Sequence, residues 1–214
     1  MSGSRKALCA LALVCACVSA AAAPPQRSTA ASAVTTMSED ARHVAQWVLD
    51  ARDHQGRPFA VVDKKDARLY LFDGQGRLTG TSPVLLGMAR GDHSAPGVGM
   101  LPPSRIPVAD RTTPAGRFPS EPGRNLDGED LVWVDYDAGI AIHRLRPAAA
   151  HQARPERMAS AGADDNRISA GCVVVPVAFY EEKVKPVLGR QRGVVYVLPE
   201  MRSVREMFAS PRDL

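Results

Sequence analysis

The segment Asp164-Asp165-Asn166-Arg167-Ile168-Ser169-Ala170-Gly171-Cys172-Val173-Val174-Val175-Pro176 places a cysteine between a glycine and a β-branched run. Glycine turns the backbone in ways closed to other residues, and Val173-Val174-Val175 reads as a buried strand. A cysteine at that junction is held at the mouth of a rigid element. The turn from Ser169 to Gly171 can also present backbone N–H groups to a developing oxyanion. Cys9, Cys15 and Cys17 lie in an N-terminal apolar segment whose removal leaves Cys172 alone. A lone thiol has no partner for an intramolecular disulfide or a multi-cysteine metal site. Two readings stay open, a buried inert thiol and a reactive one.

At 214 residues the chain suits one domain with a real core. Residues 1–23 have the parts of a secretory signal peptide: basic Arg5 and Lys6, apolar Ala7 to Val18, and a small-residue tail from Ser19 to Ala23. The apolar run, about a dozen residues, is short for a permanent span. The expectation is a cleaved leader and export across a bacterial inner membrane, to the periplasm or cell envelope. A rival reading is a lipoprotein, because Leu13-Val14-Cys15-Ala16-Cys17 loosely resembles a lipobox that would anchor the chain through Cys17. Without Arg5 and Lys6 the formal charge falls from +4 by two, to about +2. The arginines are scattered and no basic run is interleaved with aromatics, which argues against nucleic acid. No stable partner is indicated.

Residues 24–37, rich in Ser, Thr and Ala, read as a flexible linker. An N-terminal helical segment follows over 38–58, with Ser38 as N-cap, Glu39 and Asp40 in the first turn, Val44, Ala45, Val48 and Leu49 at helical spacing, and Gly56 as a stop. His43 and His54 flank it and are expected to be solvated. From Phe59 the period becomes 2. Phe59 to Asp63 and Arg68 to Phe72 form a hairpin in outline around Lys64-Lys65-Asp66-Ala67, and a strand is expected near Thr81 to Leu86. Gly87 to Pro103 reads as a long surface loop containing Asp92 and His93. Leu131 to Tyr136 and Gly139 to His143 form another hairpin. A polar connection runs from Arg144 to Asn166, then the Cys172 strand, a helix through Phe179, Tyr180 and Val184, and a last strand from Gly193 to Leu198. Residues 59–200 read as one domain, and 201–214 as a polar, partly helical C-terminal tail. The class is mainly β with flanking helices.

His143 ends a strand with apolar neighbours, 29 residues before Cys172. If the two strands pair, it stands beside the thiol, where an imidazole can take the proton and return it to a leaving amine. Taken alone it could equally be a satisfied core histidine. Ile142-His143, Ser169-Ala170-Gly171-Cys172 and the upstream Thr113-Pro114-Ala115-Gly116-Arg117-Phe118 together resemble the L,D-transpeptidase catalytic-domain (YkuD-type) family, over about Phe59 to Leu198.

That resemblance implies a β-rich catalytic domain and an enzyme that acts on peptidoglycan stem peptides. Cys172 would be the nucleophile, acylated on a tetrapeptide stem, and His143 the general base and acid. Backbone N–H groups around Gly171 and Cys172 would form the oxyanion hole, with Ser169 holding the turn. The acyl group would pass to an amine, crosslinking or remodelling the wall, and carbapenem-type inhibitors would acylate the same thiol. It calls for no cofactor and no metal, and it leaves the substrate-binding residues unassigned. Two alternatives stand beside transfer: a carboxypeptidase or peptidase on the same stems, and a non-catalytic peptidoglycan-binding module. The family usually has histidine where this chain has Ala170, and arginine or asparagine where it has Val174. Arg144 also stands where some members have a small residue, leaving a backbone carbonyl to orient the imidazole.

Overall fold

The computed structural model describes residues 37–209. The leader, Cys17 and most of the 24–37 linker lie outside the described residues. Helix α1 is Glu39–Asp50, and Ser38 Oγ accepts from the Ala41 N–H at 3.0 Å as its cap. Its buried stripe of Ala41, Val44, Ala45 and Val48 lies on one face of a sheet, against Phe59, Val61, Tyr70, Phe72, Val194 and Tyr196. Each buried valine contributes about 1.5–3 kcal/mol to that contact.

The strands are β1 Phe59–Asp63, β2 Arg68–Phe72, β3 Leu78–Pro83, β4 Leu86–Gly87, β5 Gly116–Arg124, β6 Asp130–Asp135, β7 Ile140–Arg144, β8 Arg167–Ser169, β9 Val173–Val175 and β10 Gly193–Val197. Eight form one sheet in the order β3-β2-β1-β10-β5-β6-β7-β9, and β4 pairs with β8. β1 explains its own apolar run. Ala60 and Val62 face the sheet's interior, while Phe59 and Val61 face α1, so all five positions are buried. Phe59 stacks on its cross-strand partner Phe72 at 4.5 Å. β5 joins the two halves of the sheet: Gly116 to Ser120 pair with β10, and Glu121 to Arg124 with β6. The sheet curls until its ends meet. Leu85, just beyond β3, donates to Val174 O at 2.8 Å and accepts from Val174 N–H at 2.9 Å. The result is a β-rich near-barrel with few helices, the class expected.

Several local readings are corrected. His54 is not solvated; it is buried, its ring 5.2 Å from Phe59, because the turn after α1 folds back over the start of β1. The expected strand over Thr81 to Leu86 is two pieces, β3 and β4, separated at the irregular Val84-Leu85 where the chain crosses to β9. The helix expected after Pro176 is present, with one irregularity: it runs Val177–Phe179, passes through a π-turn at Tyr180–Val184 and ends at Lys185–Val187, burying Tyr180 and Val184 in the barrel. The tail is helical at Val204–Met207 as read, but it is not polar throughout. Val204 and Phe208 are buried beneath α1, and Trp47 Nε1 donates to Ala209 O at 3.0 Å.

Candidate active site

β7 and β9 are adjacent and parallel, with Ile142 opposite Val173 and His143 opposite Val174. That pairing sets His143 and Cys172 into the wall of one cleft of about 320 Å3, lined also by Trp133, Gly139, Arg146 and Arg154. Cys172 sits half-buried just before β9. The glycine before it is a geometric requirement. Gly171 has φ +130°, and a Cβ there would come within 2.6 Å of the Ile140 side chain and 2.9 Å of Thr112 O.

The turn is held from two sides. Ser169 Oγ donates to Cys172 O at 2.7 Å and accepts from Gly171 N–H at 3.1 Å. Thr113 Oγ1, fully buried, donates to Gly171 O at 2.8 Å and accepts from Gly87 N–H at 2.9 Å. The Thr-Pro-x-Gly segment is therefore the buttress of the cysteine turn. These bonds bear on the two N–H groups read as oxyanion donors. Ser169 occupies the Gly171 N–H, and Cys172's own N–H is the one without a partner among the described residues.

Burial pushes the Cys172 thiol up, although the Ala141 N–H and the Arg146 charge oppose it. The resting thiol donates to Gly139 O at 3.6 Å. His143 is pushed down to about 4, first by burial and then by the charges of Arg146 and Arg154, against the hydrogen bond to its neighbour's carbonyl. His143 Nδ1 lies 2.8 Å from Arg144 O. A carbonyl only accepts, so Nδ1 carries the proton and Nε2 is left as an acceptor. A backbone carbonyl thus orients the imidazole. The Arg144 side chain is engaged elsewhere, with Asp130 at 2.6 Å and Glu181 at 3.0 Å, 4.7 Å above the Tyr180 ring.

The positions that depart from the family pattern have definite places. Val174 is buried against Leu85 and Met158 in a small third core, which ties the 145–166 connection to the barrel. Ala170 lines the thiol cleft and also a neighbouring one. Sequence reading missed Lys64, which it placed in a hairpin turn, and Asp92, which it placed in a surface loop. Lys64 has no exposed surface, and its Nζ donates to Asp92 Oδ1 at 3.0 Å, to Thr113 O at 2.9 Å and to Gly91 O. Glu200 lies 3.5 Å from the same ammonium and accepts from Arg167 at 2.5 Å. This buried ion cluster backs the Thr113 buttress. Among the described residues no group of three or more His, Cys, Asp or Glu side chains converges as a metal site.

No protein-family model matches the chain, and no curated protein matches it in sequence. Similar solved structures are L,D-transpeptidase catalytic domains. The catalytic domain of the Enterococcus faecium L,D-transpeptidase is 19% identical with a TM-score of 0.38, over 67% of this chain and 98% of that one. The L,D-transpeptidase of Xylanimonas cellulosilytica is 18% identical with a TM-score of 0.37, over 66% of this chain and 60% of its own. The helical cell shape determining protein Pgp2 of Campylobacter jejuni is 15% identical with a TM-score of 0.43, over 78% and 59%. At these identities and scores the overlap carries nothing about chemistry.

Proposed function

We propose that the protein is a cysteine acyltransferase of the L,D-transpeptidase type, which is acylated on peptidoglycan tetrapeptide stems and passes the acyl group to an amine. The observation that carries this is the parallel pairing of β7 with β9, which lines one cleft with both Cys172 and His143. Burial favours the neutral forms of both groups at rest. The proton therefore moves to His143 Nε2 as Cys172 Sγ attacks the stem carbonyl, rather than before it. The Cys172 N–H faces the oxyanion. On collapse the C–N bond to the terminal D-amino acid breaks, and the leaving amine takes the proton from His143. An acceptor amine then attacks the thioester, gives a proton to His143, and the departing thiolate recovers it. The leader read at residues 1–23 fits a substrate outside the inner membrane.

Intact-protein mass spectrometry after incubation with a carbapenem tests this reading. One drug mass is expected on the native protein and none on Cys172→Ala. No adduct, with the thiol still open to a small alkylating reagent, would overturn it in favour of the non-catalytic wall-binding module. Water in place of the acceptor amine would make the protein a carboxypeptidase. Mass analysis of products from a defined tetrapeptide, with and without a donor amine, separates transfer from hydrolysis.

A further inference from the structure

Beside the thiol cleft lies a second cleft of about 490 Å3, lined by Arg111, His151, Arg154, Arg157, Gln152 and Ala170 among others, with no acidic side chain in its wall. Arg154 and Ala170 line both clefts, which therefore adjoin. The arginines come from two separate segments. Arg111 precedes the Thr113 buttress, Arg154 opens the short helix Arg154–Ala159, and Arg157 lies one turn further on.

Each guanidinium is held in place, yet by neutral acceptors only. Arg111 donates to Ile106 O at 2.9 Å and to the Met88 sulfur at 3.3 Å. Arg154 donates to the Gln152 side-chain oxygen at 2.7 Å, and Arg157 to Gln152 O and Asp165 O, both at 3.0 Å. The Asp165 carboxylate accepts from Ser160 at 2.6 Å and forms no ion pair with these arginines among the described residues. Glu129 is engaged by Arg146 at 2.7 Å. Three positive charges are thus positioned and left without a counter-charge among the described residues. Burial and the nearby Arg146 pull Arg154 below its ordinary value, an electrostatic cost that an incoming anion would relieve. Guanidinium groups fixed in this way recognise carboxylates bidentately.

The geometry points to an anion-binding groove, built by Arg111, Arg154 and Arg157, that seats free carboxylates of the peptide whose reacting carbonyl lies at Cys172. It rests on the acyl-transfer reading, because the stem peptide is what brings those carboxylates to the cleft. In this chain the groove supplies a positive charge that Val174 does not.

Isothermal titration on the Cys172→Ala protein tests it, with three probes: a stem tetrapeptide with free side carboxylates, the same peptide amidated, and inorganic phosphate alone. The free acid is expected to bind about tenfold tighter than the amide, with an advantage that shrinks as salt is raised. The advantage should vanish in Arg154→Gln/Arg157→Gln and survive in Arg157→Lys, which keeps the charge if the glutamine variant folds poorly. Equal binding of the two peptides would overturn the assignment. So would phosphate that binds as tightly as the free acid with the same arginine dependence. If the native thiol is acylated by both peptides at equal kcat/KM, the groove falls and the acyl transfer stands. If the free acid binds through the arginines and Cys172 is never acylated, the reverse holds.

Discussion

Lys64 and His143 are both ionisable, both buried, and both at or beside the end of a barrel strand, yet the chain surrounds them differently. Lys64 is given two carboxylates and two main-chain carbonyls, while Asp92 in turn accepts from the N–H groups of Glu200, Met201 and Arg202. Burial alone would push Asp92 up, and those donors with Lys64 hold it below the usual carboxylate range. His143 has one carbonyl. Where every lone pair and proton is matched, the group fixes shape. Where one nitrogen is left over, the group can act on something that arrives.

The largest effect expected from this contrast is at the thiol. Cys172→Ala should abolish the carbapenem adduct and any product from stems while shifting the melting temperature by no more than about 2 °C, checked by mass and calorimetry. Lys64→Met should do the opposite and unfold the protein more easily, by about 3–5 kcal/mol, because it leaves the buried Asp92 without its counter-charge, while Glu200 keeps Arg167. Urea midpoints measure it, and Lys64→Met/Asp92→Asn should recover part of the loss. A Lys64→Met protein of native stability would break the comparison.

His143 sharpens the contrast through pH. Its folded value of about 4 lies below the ordinary 6.5, so the unfolded chain binds the extra proton and stability falls as pH drops from about 6.5 to 4. The shift amounts to about 3 kcal/mol, and His143→Gln should flatten that limb of the stability curve. The acid limb of acylation should likewise fall near pH 4 rather than 6.5, read from adduct formation rates. Smallest is Thr113→Val, which leaves the Gly87 N–H unpaired and unties Gly171. It should cost about 1–3 kcal/mol and slow acylation by about tenfold, with Thr113→Ser restoring both.

Legibility in the sequence followed locality. The cap at Ser38, the strands from Phe59 and Gly193, and the meeting of His143 with Cys172 could be read because each rests on a short pattern or on pairing of neighbouring strands. Lys64 could not: it sits in a Lys-Lys dipeptide whose second member is exposed, and its partner Asp92 lies 28 residues away in a glycine-rich loop. The arginine groove is assembled from segments that show no basic run. The fate of the Gly171 N–H was equally hidden, since the Ser169 hydroxyl that captures it was read as a brace for the turn and not as a competitor for the donor.

The two hydrogen bonds between Leu85 and Val174 also set a clock. They join positions 89 residues apart, across the seam where the curled sheet meets itself. Contacts so distant along the chain carry a high loop-closure cost and form late, after local hairpins. β9, which follows Cys172, pairs with β7 on one side and gains its partner on the other only at that final step. The cleft wall that holds Cys172 and His143 is thus among the last parts of the molecule to be completed.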